Sequence, residues 1–335
     1  MRGWRRSQDN DATMGAEHPR LITCTRDYRN ELIAAECETL TGGRPNAWGI
    51  ASGSADHVID GAFVKQGVHL LAQADGLEQL VSHVAELGLH QDEFRIEWLH
   101  AGSPEDRRWE ATIAIADQIK GRPNLNKPRH RFLLVAEAGG MAFGSVVVEA
   151  SRSYRKHDRK PCHTPSSLPS RLARCLVNLV ARDVKSIVDP CCGTGSILLE
   201  AAAIGLQARG GDWNPRMVAM SRQNVDTFGY EIQLGCADAT DASDTADAVV
   251  TDLPYGRGSE ISEKVLQQII AQSRALAPLA VFVAGTDVSQ WIINAGYHQV
   301  ETYRLLKSRG FSRYIHRAWR EGGAPAKLQQ VRQEP

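Results

Sequence analysis

The sequence predicts an α/β protein. A doubly wound, mostly parallel sheet of seven strands fills the C-terminal half and ends in an antiparallel hairpin, and an α+β half precedes it. Three observations lead there. Beyond residue 171, short apolar runs alternate with amphipathic stretches across short loops. An apolar strand, Ser186-Ile-Val-Asp189, turns through Gly193 and Gly195 into an apolar helix. The segment Ser151-Arg-Ser-Tyr-Arg-Lys-His-Asp-Arg-Lys160 carries no aliphatic residue and is followed by Pro161, Pro165 and Pro169, which marks a boundary.

Size and composition fit this outline. The chain has 335 residues, enough for two domains, with 42% hydrophobic and 23% charged residues, as in ordinary globular proteins. No apolar run approaches the roughly 18 residues of a membrane span. The start, Met1-Arg-Gly-Trp-Arg-Arg, lacks the apolar segment of a secretory signal; residues 1–20 read as a loose tail, with Met14 an alternative start, and 323–335 as another. Seven cysteines are scattered without a C-x-x-C pair, which suggests a reducing, cytoplasmic setting. Cys162-His163 has no second pair, so no metal site is expected. Formal net charge is zero, so any nucleic-acid argument rests on where the charges lie.

In the N-terminal half, Leu21–Thr25 reads as a strand and Tyr28–Leu40 as a helix. Ala62–Gln66 and Val68–Ala72 read as two strands, followed by a helix over Gly76–Leu87. Phe94-Arg-Ile-Glu-Trp98 alternates as a half-buried strand does, and Arg108–Ile119 is amphipathic at helical spacing. Gly121–Pro128 is a turn-rich, basic connector into the strand Arg131–Val135, and Met141–Val148 is the last strand before the boundary.

In the C-terminal half, a helix over 167–180 leads into the strand Ser186–Asp189. Strands follow at Gln207–Asp212, Ile232–Cys236, Ala246–Thr251 and Ala280–Ala284. Between and after them lie helices at Ser196–Ile204, Pro215–Phe228, Ser262–Leu276 and Val288–Ala295. Pro215 suits a first helical turn. Gln299–Lys307 and Phe311–Trp319 read as a hairpin around Ser308-Arg-Gly310 at the sheet edge. Sheets of this kind bind ligands at the carboxyl ends of their strands.

Those ends carry the candidate site. Gly193 and Gly195 allow a tight turn and close approach of a ligand. Asp212 follows Asp189 by 23 residues, at the tip of the next strand, where an acid takes ribose hydroxyls. Position 198 is Leu, so the third glycine of the dinucleotide fingerprint is missing and nothing asks for a pyrophosphate. Asp189 would repel phosphate and attract a cation such as the aminoacyl end of a sulfonium ligand. Asp238, after the third strand, could accept from an adenine amine. Any one of these acids has a bland reading as a solvated loop residue; three at consecutive strand tips argue for a site. In Asp252-Leu-Pro-Tyr255, Asp252 and the carbonyl of Leu253 could hold the protons of an amine on a flat base, a poor nucleophile because its lone pair is delocalised. Pro254 would stiffen the turn and Tyr255 would stack on the ring.

Asp189-Pro-Cys-Cys-Gly-Thr-Gly-Ser-Ile-Leu-Leu-Glu200 together with Thr251-Asp-Leu-Pro-Tyr-Gly-Arg257 resembles the Rossmann-like class I S-adenosylmethionine-dependent methyltransferases that act on amines. The nearer resemblance is to the THUMP-containing tRNA guanine-N2-methyltransferases of the guanine-10 group. It is supported upstream by Lys160-Pro-Cys-His-Thr-Pro-Ser-Ser-Leu-Pro-Ser-Arg-Leu-Ala-Arg-Cys-Leu-Val-Asn-Leu179, similar to that group's lead-in helix. The resemblance is specific over 152–260, extends to 320, and is weaker over 21–150, where Gly121–Pro128 and Phe143-Gly144 match a THUMP region. It implies a ferredoxin-like and THUMP RNA-binding region over 21–150, a basic linker over 151–170 and a methyltransferase domain over 171–322. It implies S-adenosylmethionine contacts at Asp189, Cys191, Gly193, Thr194, Gly195, Asp212, Trp213, Asp238 and Ala239, and amine holding by Asp252, Leu253, Pro254 and Tyr255. Relatives often have a second proline at position 253 and another residue at 191; here the Cys191-Cys192 pair is read as packing. It implies tRNA as partner and admits a small activating protein partner, the chain being otherwise a monomer. Ribosomal RNA guanine or DNA adenine as substrate, and a non-catalytic RNA-binding protein, remain open on the sequence alone. Between 151 and 185, Arg152, Arg155, Lys156, Arg159, Lys160, Arg171, Arg174, Arg182 and Lys185 face only Asp158 and Asp183, and Arg304, Lys307, Arg309, Arg313, Arg317 and Arg320 form a second basic stretch. Both are expected to track phosphates.

Overall fold

Two parts of the chain, residues 22–67 and 146–320, gather into one unit, and residues 20–21 and 68–145 form another. The computed structural model describes residues 20–27, 29–102, 107–137, 139–182, 184–254, 262–308 and 311–320.

The unit built on 68–145 is α+β. It contains the later part of β3 (Val64–Ala74), α2 (Leu77–Glu86), β4 (Phe94–Ala101), α3 (Arg108–Ala116), β5 (His130–Glu137) and the first part of β6 (Gly140–Glu149). Its strands lie in the order β3-β6-β5-β4, with β4 parallel to β5 across the α3 crossover and β5 antiparallel to β6. Leu80 and Val84 of α2 and Ala111 and Ile115 of α3 close over Phe94, Phe132 and Phe143. The Phe132 and Phe143 rings stack at 5.1 Å and Phe94 meets Phe132 edge-on at 6.0 Å, so aromatic packing fixes the centre of this small core. The expected pair of strands at 62–66 and 68–72 is one strand, β3. Gly67 keeps it continuous, because a Cβ there would meet Ala55 at 2.7 Å and Val148 at 2.9 Å.

The larger unit begins within β1 (Arg20–Cys24), from Ile22, and continues with α1 (Asn30–Thr41), β2 (Ile50–Ser52) and the start of β3. Its main body runs α4 (Ser170–Asn178), β7 (Ser186–Asp189), α5 (Ser196–Ala203), β8 (Gln207–Asp212), α6 (Pro215–Phe228), β9 (Gln233–Cys236) and β10 (Ala248–Asp252). It then continues through α7 (Glu263–Leu276), β11 (Leu279–Ala284), α8 (Ser289–Asn294), β12 (Gln299–Ser308) and β13 (Phe311–Trp319). The seven-stranded sheet has the order β12-β13-β11-β10-β7-β8-β9; β7 to β11 are parallel and the final hairpin is antiparallel, as the sequence predicts. The chain winds outward from β7 through β8 and β9, then returns to place β10 on the other flank of β7. The switch point of the sheet therefore lies between β7 and β10.

Residues 22–67 share one apolar core with α4 and with this sheet, through Ile22, Leu32, Ile33 and Phe63 on one side and Leu172, Leu176 and Ile187 on the other. A buried carboxylate ties them. Glu36 on α1 accepts from the backbone N–H of Ala62 and Phe63, each at 2.8 Å, and from Asn178 Nδ2 on α4 at 2.6 Å. Burial raises its pKa and these donors oppose the shift.

The stretch read as a linker is structured. Ser153–Arg159 forms a 3₁₀ turn with Tyr154 and His157 buried. An aliphatic pattern could not show this, since the buried side chains are an aromatic and a histidine. His157 Nδ1 lies 2.6 Å from Glu200 of α5 and its Nε2 3.1 Å from the Tyr230 hydroxyl, while Arg174 of α4 pairs with Glu200 at 2.8 Å. Arg174 is 0% exposed. The basic run thus contributes a buried ion pair that locks α4 to α5, which differs from the expectation that all its cations track phosphates. Lys160 is likewise buried, its Nζ donating to Ser196 Oγ at 2.8 Å. In the second basic stretch, Arg313 and Arg317 are buried, the latter 3.7 Å from Glu301.

Candidate active site

Three parallel ladders bring three carboxylates to one edge. Asp189 ends β7, in register with Gly210 of β8. Asp212 ends β8, in register with Cys236 of β9. Asp252 ends β10, in register with Val283 of β11. The spacing of strand tips in the sequence is thereby turned into proximity across the switch point.

The turn after β7 is built for close approach. Gly193 and Gly195 have φ of +51° and +79°, a region that side chains disfavour. A Cβ on Gly193 would meet nothing within 4 Å, whereas one on Gly195 would lie 2.5 Å from Ser221 Oγ on α6. Gly193 therefore leaves open space beside the turn, and Gly195 seats α5 against α6. Gly210 plays a part the sequence reading missed: a Cβ there would meet Leu198 at 2.4 Å, so its absence lets α5 settle on β8. Asp212 ties the turn to its neighbour, accepting from Gly193 N and Asn214 N at 2.9 Å each. Asn214 then caps α6 through Arg216 N.

Asp189 is 1% exposed and accepts from Thr251 Oγ1 at 2.6 Å and from Cys191 N at 3.1 Å. Burial raises its pKa to about 7; the two donors oppose the shift, and the Asp252 and Asp212 charges add to it. A buried acid beside two others favours a cationic occupant. Asp238, just past β9, lies at the surface with its pKa lowered by Thr240, whose N–H and hydroxyl donate to it at 2.9 and 2.8 Å. Ala239 behind it is buried. Trp213 is 68% exposed immediately after Asp212, so its ring is open for stacking. Thr194 is buried with its hydroxyl 3.0 Å from Ser167 Oγ, a wall contribution rather than an open donor. Burial pushes the Cys191 and Cys192 thiols far up, which suits their reading as packing.

At the carboxyl end of β10, Asp252 is half-buried, Leu253 is buried with its N–H donating to Val283 O at 2.9 Å, and Pro254 is half-buried. That bond holds the start of the turn in line with β11. Tyr255 lies outside the described residues.

Two further residues escaped the sequence reading. Asn224 on α6, fully buried, accepts from Cys162 N and donates to the carbonyls of Cys162 and Thr194, so it stitches the segment after the 3₁₀ turn to the glycine turn. Its signal was a polar residue on the buried stripe of Val218, Ser221 and Val225. Thr251 is the other.

Residues 157–278 match the UPF0020 family model, RMKL-like, methyltransferase domain. A tRNA (guanine(10)-N2)-dimethyltransferase of Methanothermobacter thermautotrophicus is 30% identical over 257 residues, covering 66% of this chain and 74% of the relative. The chain belongs to this methyltransferase family. A protein of the same name from Pyrococcus abyssi is 38% identical over 115 residues, covering 32% of this methyltransferase and 34% of the relative. The crystal structure of TrmN from Thermus thermophilus shares its fold, with a TM-score of 0.50 and 17% identity over 90% of this chain and all (100%) of that one. The matched span of the methyltransferase includes the 3₁₀ turn from His157 onward, the glycine turn and the Asp252 turn, so the three strand-tip acids and both turns lie within the family's shared part. Among its described residues, no helix is long and apolar enough to cross a membrane.

Proposed function

We propose that this enzyme transfers a methyl group from S-adenosylmethionine to the exocyclic N2 amine of a guanine in tRNA, at the position named for its relatives, guanosine 10. The observation that carries the reading is the convergence of Asp189, Asp212 and Asp252 on the switch point, with the acceptor turn beginning at the third.

The residues fit such a donor. When bound, S-adenosylmethionine supplies an electrophilic methyl group on a sulfonium. Asp189, its charge disfavoured by burial, gains from a cationic end beside it. Asp212 keeps lone pairs for ribose hydroxyls beyond the two backbone donors it serves. Asp238, Ala239 and the open ring of Trp213 offer an adenine an acceptor, a wall and a stacking face. Gly193, Thr194, Gly195 and Cys191 form the turn that approaches it. At the acceptor, Asp252 and the Leu253 carbonyl hold the protons of the amine and favour the pyramidal nitrogen that attacks. Pro254 limits the turn, and Tyr255 is assigned the stacking role.

The polymer is held elsewhere. Arg152, Arg155, Lys156 and Arg159 stand exposed on the 3₁₀ turn, and Lys120, Arg122 and Lys127 on the connector into β5. These are assigned to phosphates, with 68–145 serving as the core of a THUMP-type RNA-binding region and the enzyme acting where tRNA is processed, in the cytoplasm. The test is tritium transfer from labelled donor to tRNA transcripts, followed by nucleoside mass spectrometry. N2-methylguanosine is expected, lost when guanosine 10 is replaced and lost in Asp252→Ala. Undiminished transfer by Asp252→Ala refutes the assigned mechanism; label in ribosomal RNA or in DNA adenine alone refutes the assigned substrate.

A further inference from the structure

Backbone pairing between β10 and β7 covers Ala248↔Ile187 and Val249↔Val188. The pairing of β10 with β11 continues through Thr251↔Phe282 and Asp252↔Val283. Toward the carboxyl edge, then, the sheet parts on the β7 side of β10 and stays closed on the other. A side chain spans the gap: the Thr251 hydroxyl, 0% exposed, donates to Asp189 Oδ1 at 2.6 Å. It joins the acid at the end of one strand to the residue that precedes Asp252 on the other. Parallel strands at a switch point diverge to admit a ligand, and a buried hydroxyl there has no packing advantage over a valine side chain of the same shape.

We propose that Thr251 is a positioning residue of the methyl transfer. Its hydroxyl fixes the ionised Asp189 carboxylate toward the donor and, through the same bond, sets the distance between the donor side and the Asp252 turn. This rests on the donor reading given above. The groups that bear on Asp189 come from each neighbouring segment: Asp252 from β10, Asp212 from β8, and the Cys191 and Cys192 thiols from its own turn. The acids among them disfavour a charge on Asp189, so the donors to it decide whether it is held charged near neutral pH. Cys191 N is one; backbone geometry supplies it whatever the side chains. Thr251 is the donor that a substitution removes cleanly.

Thr251→Val, Thr251→Ala and Thr251→Ser separate hydroxyl from shape. Donor affinity is measured by calorimetry from pH 5.5 to 8.5 on the full chain, and denaturant stability of the ligand-free protein is followed over the same range. Loss of a hydrogen bond to a charged group corresponds to about a tenfold weaker donor affinity at pH 7 in Thr251→Val and Thr251→Ala. The pH at which affinity is half-maximal should rise in both, the break in the ligand-free stability profile should rise with it, and affinity for tRNA should not change. Thr251→Ser, which keeps the hydroxyl, should follow the unaltered protein in all three. Unchanged donor affinity and an unchanged break in Thr251→Val or Thr251→Ala overturn the proposal, as does a Thr251→Ser that fails like them. No donor binding by the unaltered protein overturns the donor reading instead, and the ligand-free profile still decides the role of Thr251.

Discussion

Replacing Asp189 by asparagine should abolish donor binding, and the stability of the ligand-free variant relative to the unaltered methyltransferase should rise with pH. Asp189 is fully buried, with a pKa raised from 3.8 to about 7. A carboxyl whose folded pKa exceeds its unfolded one releases its proton more readily on unfolding. Stability is therefore full below pH 3.8, falls as pH rises toward 7, and is flat beyond. The shift of about 3 pH units corresponds to about 4 kcal/mol lost by pH 8, of which about 1.5 kcal/mol is already lost at pH 5. Asparagine does not titrate. Its side-chain oxygen can take over both bonds that Oδ1 accepts, from Thr251 and Cys191 N. Its amide nitrogen meets a site that held a carboxylate oxygen, at a cost of about 1–3 kcal/mol that is the same at every pH. That constant cancels in the pH dependence. The gap between Asp189→Asn and the unaltered protein should widen by about 2.5 kcal/mol from pH 5 to pH 8, whatever its offset. Urea unfolding at pH 5, 6, 7 and 8, followed by tryptophan fluorescence, reads it as a difference of extrapolated free energies. Saturating the unaltered protein with S-adenosylmethionine should narrow the gap, since a cation beside Asp189 draws its pKa down. A gap that is flat or shrinks with pH would refute the argument, for it would mean that the carboxylate is already held charged by partners stronger than those that surround it.

Two other perturbations bear on the basic run. Glu200→Gln leaves Arg174 buried beside a neutral amide and should cost about 3–5 kcal/mol in urea unfolding. The double change of Glu200 and Arg174 to leucine should recover much of that; a single-variant loss below about 1 kcal/mol would show that the pair does not hold α4 to α5. Arg155→Ala, Lys156→Ala and Arg159→Ala combined should weaken tRNA binding without changing donor affinity. The slope of log affinity against log salt should flatten by about one unit for each phosphate no longer neutralised. An unaltered salt slope would remove the 3₁₀ turn from the RNA-binding surface.

The difference between these two tests shows where a sequence can be read and where it cannot. Arg155 and Arg174 are both arginines in one basic, acid-poor stretch, and nothing local distinguishes them. What separates them is Glu200, which lies 26 residues beyond Arg174 on the helix that follows the glycine turn. Residue-by-residue patterns carry period and turn chemistry over a few positions. For that reason β7, β8 and α6 fall where hydrophobic spacing and Pro215 put them, and the acids at the strand tips could be assembled into a site once the parallel order was inferred. Pairings across the fold are not local. The carboxylate of Glu36 taking the N–H groups of Ala62 and Phe63, the histidine under the 3₁₀ turn, and the Thr251 hydroxyl reaching Asp189 each join residues 26 to 62 positions apart. A charged or polar residue inside an apolar stripe is the trace such pairings leave. Glu36 sits among Ile33, Cys37 and Leu40, Asn224 beside Val225, and Thr251 after Val249 and Val250. Each stands where burial without a partner would cost more than a single mutation usually does, so each implies a partner although it cannot name one. In Thr251 the implied partner is the acid on which the donor reading depends. The residue most informative about coupling between donor and acceptor thus sits beside the most legible motif in the chain, on a strand whose residues 248–251 are all buried.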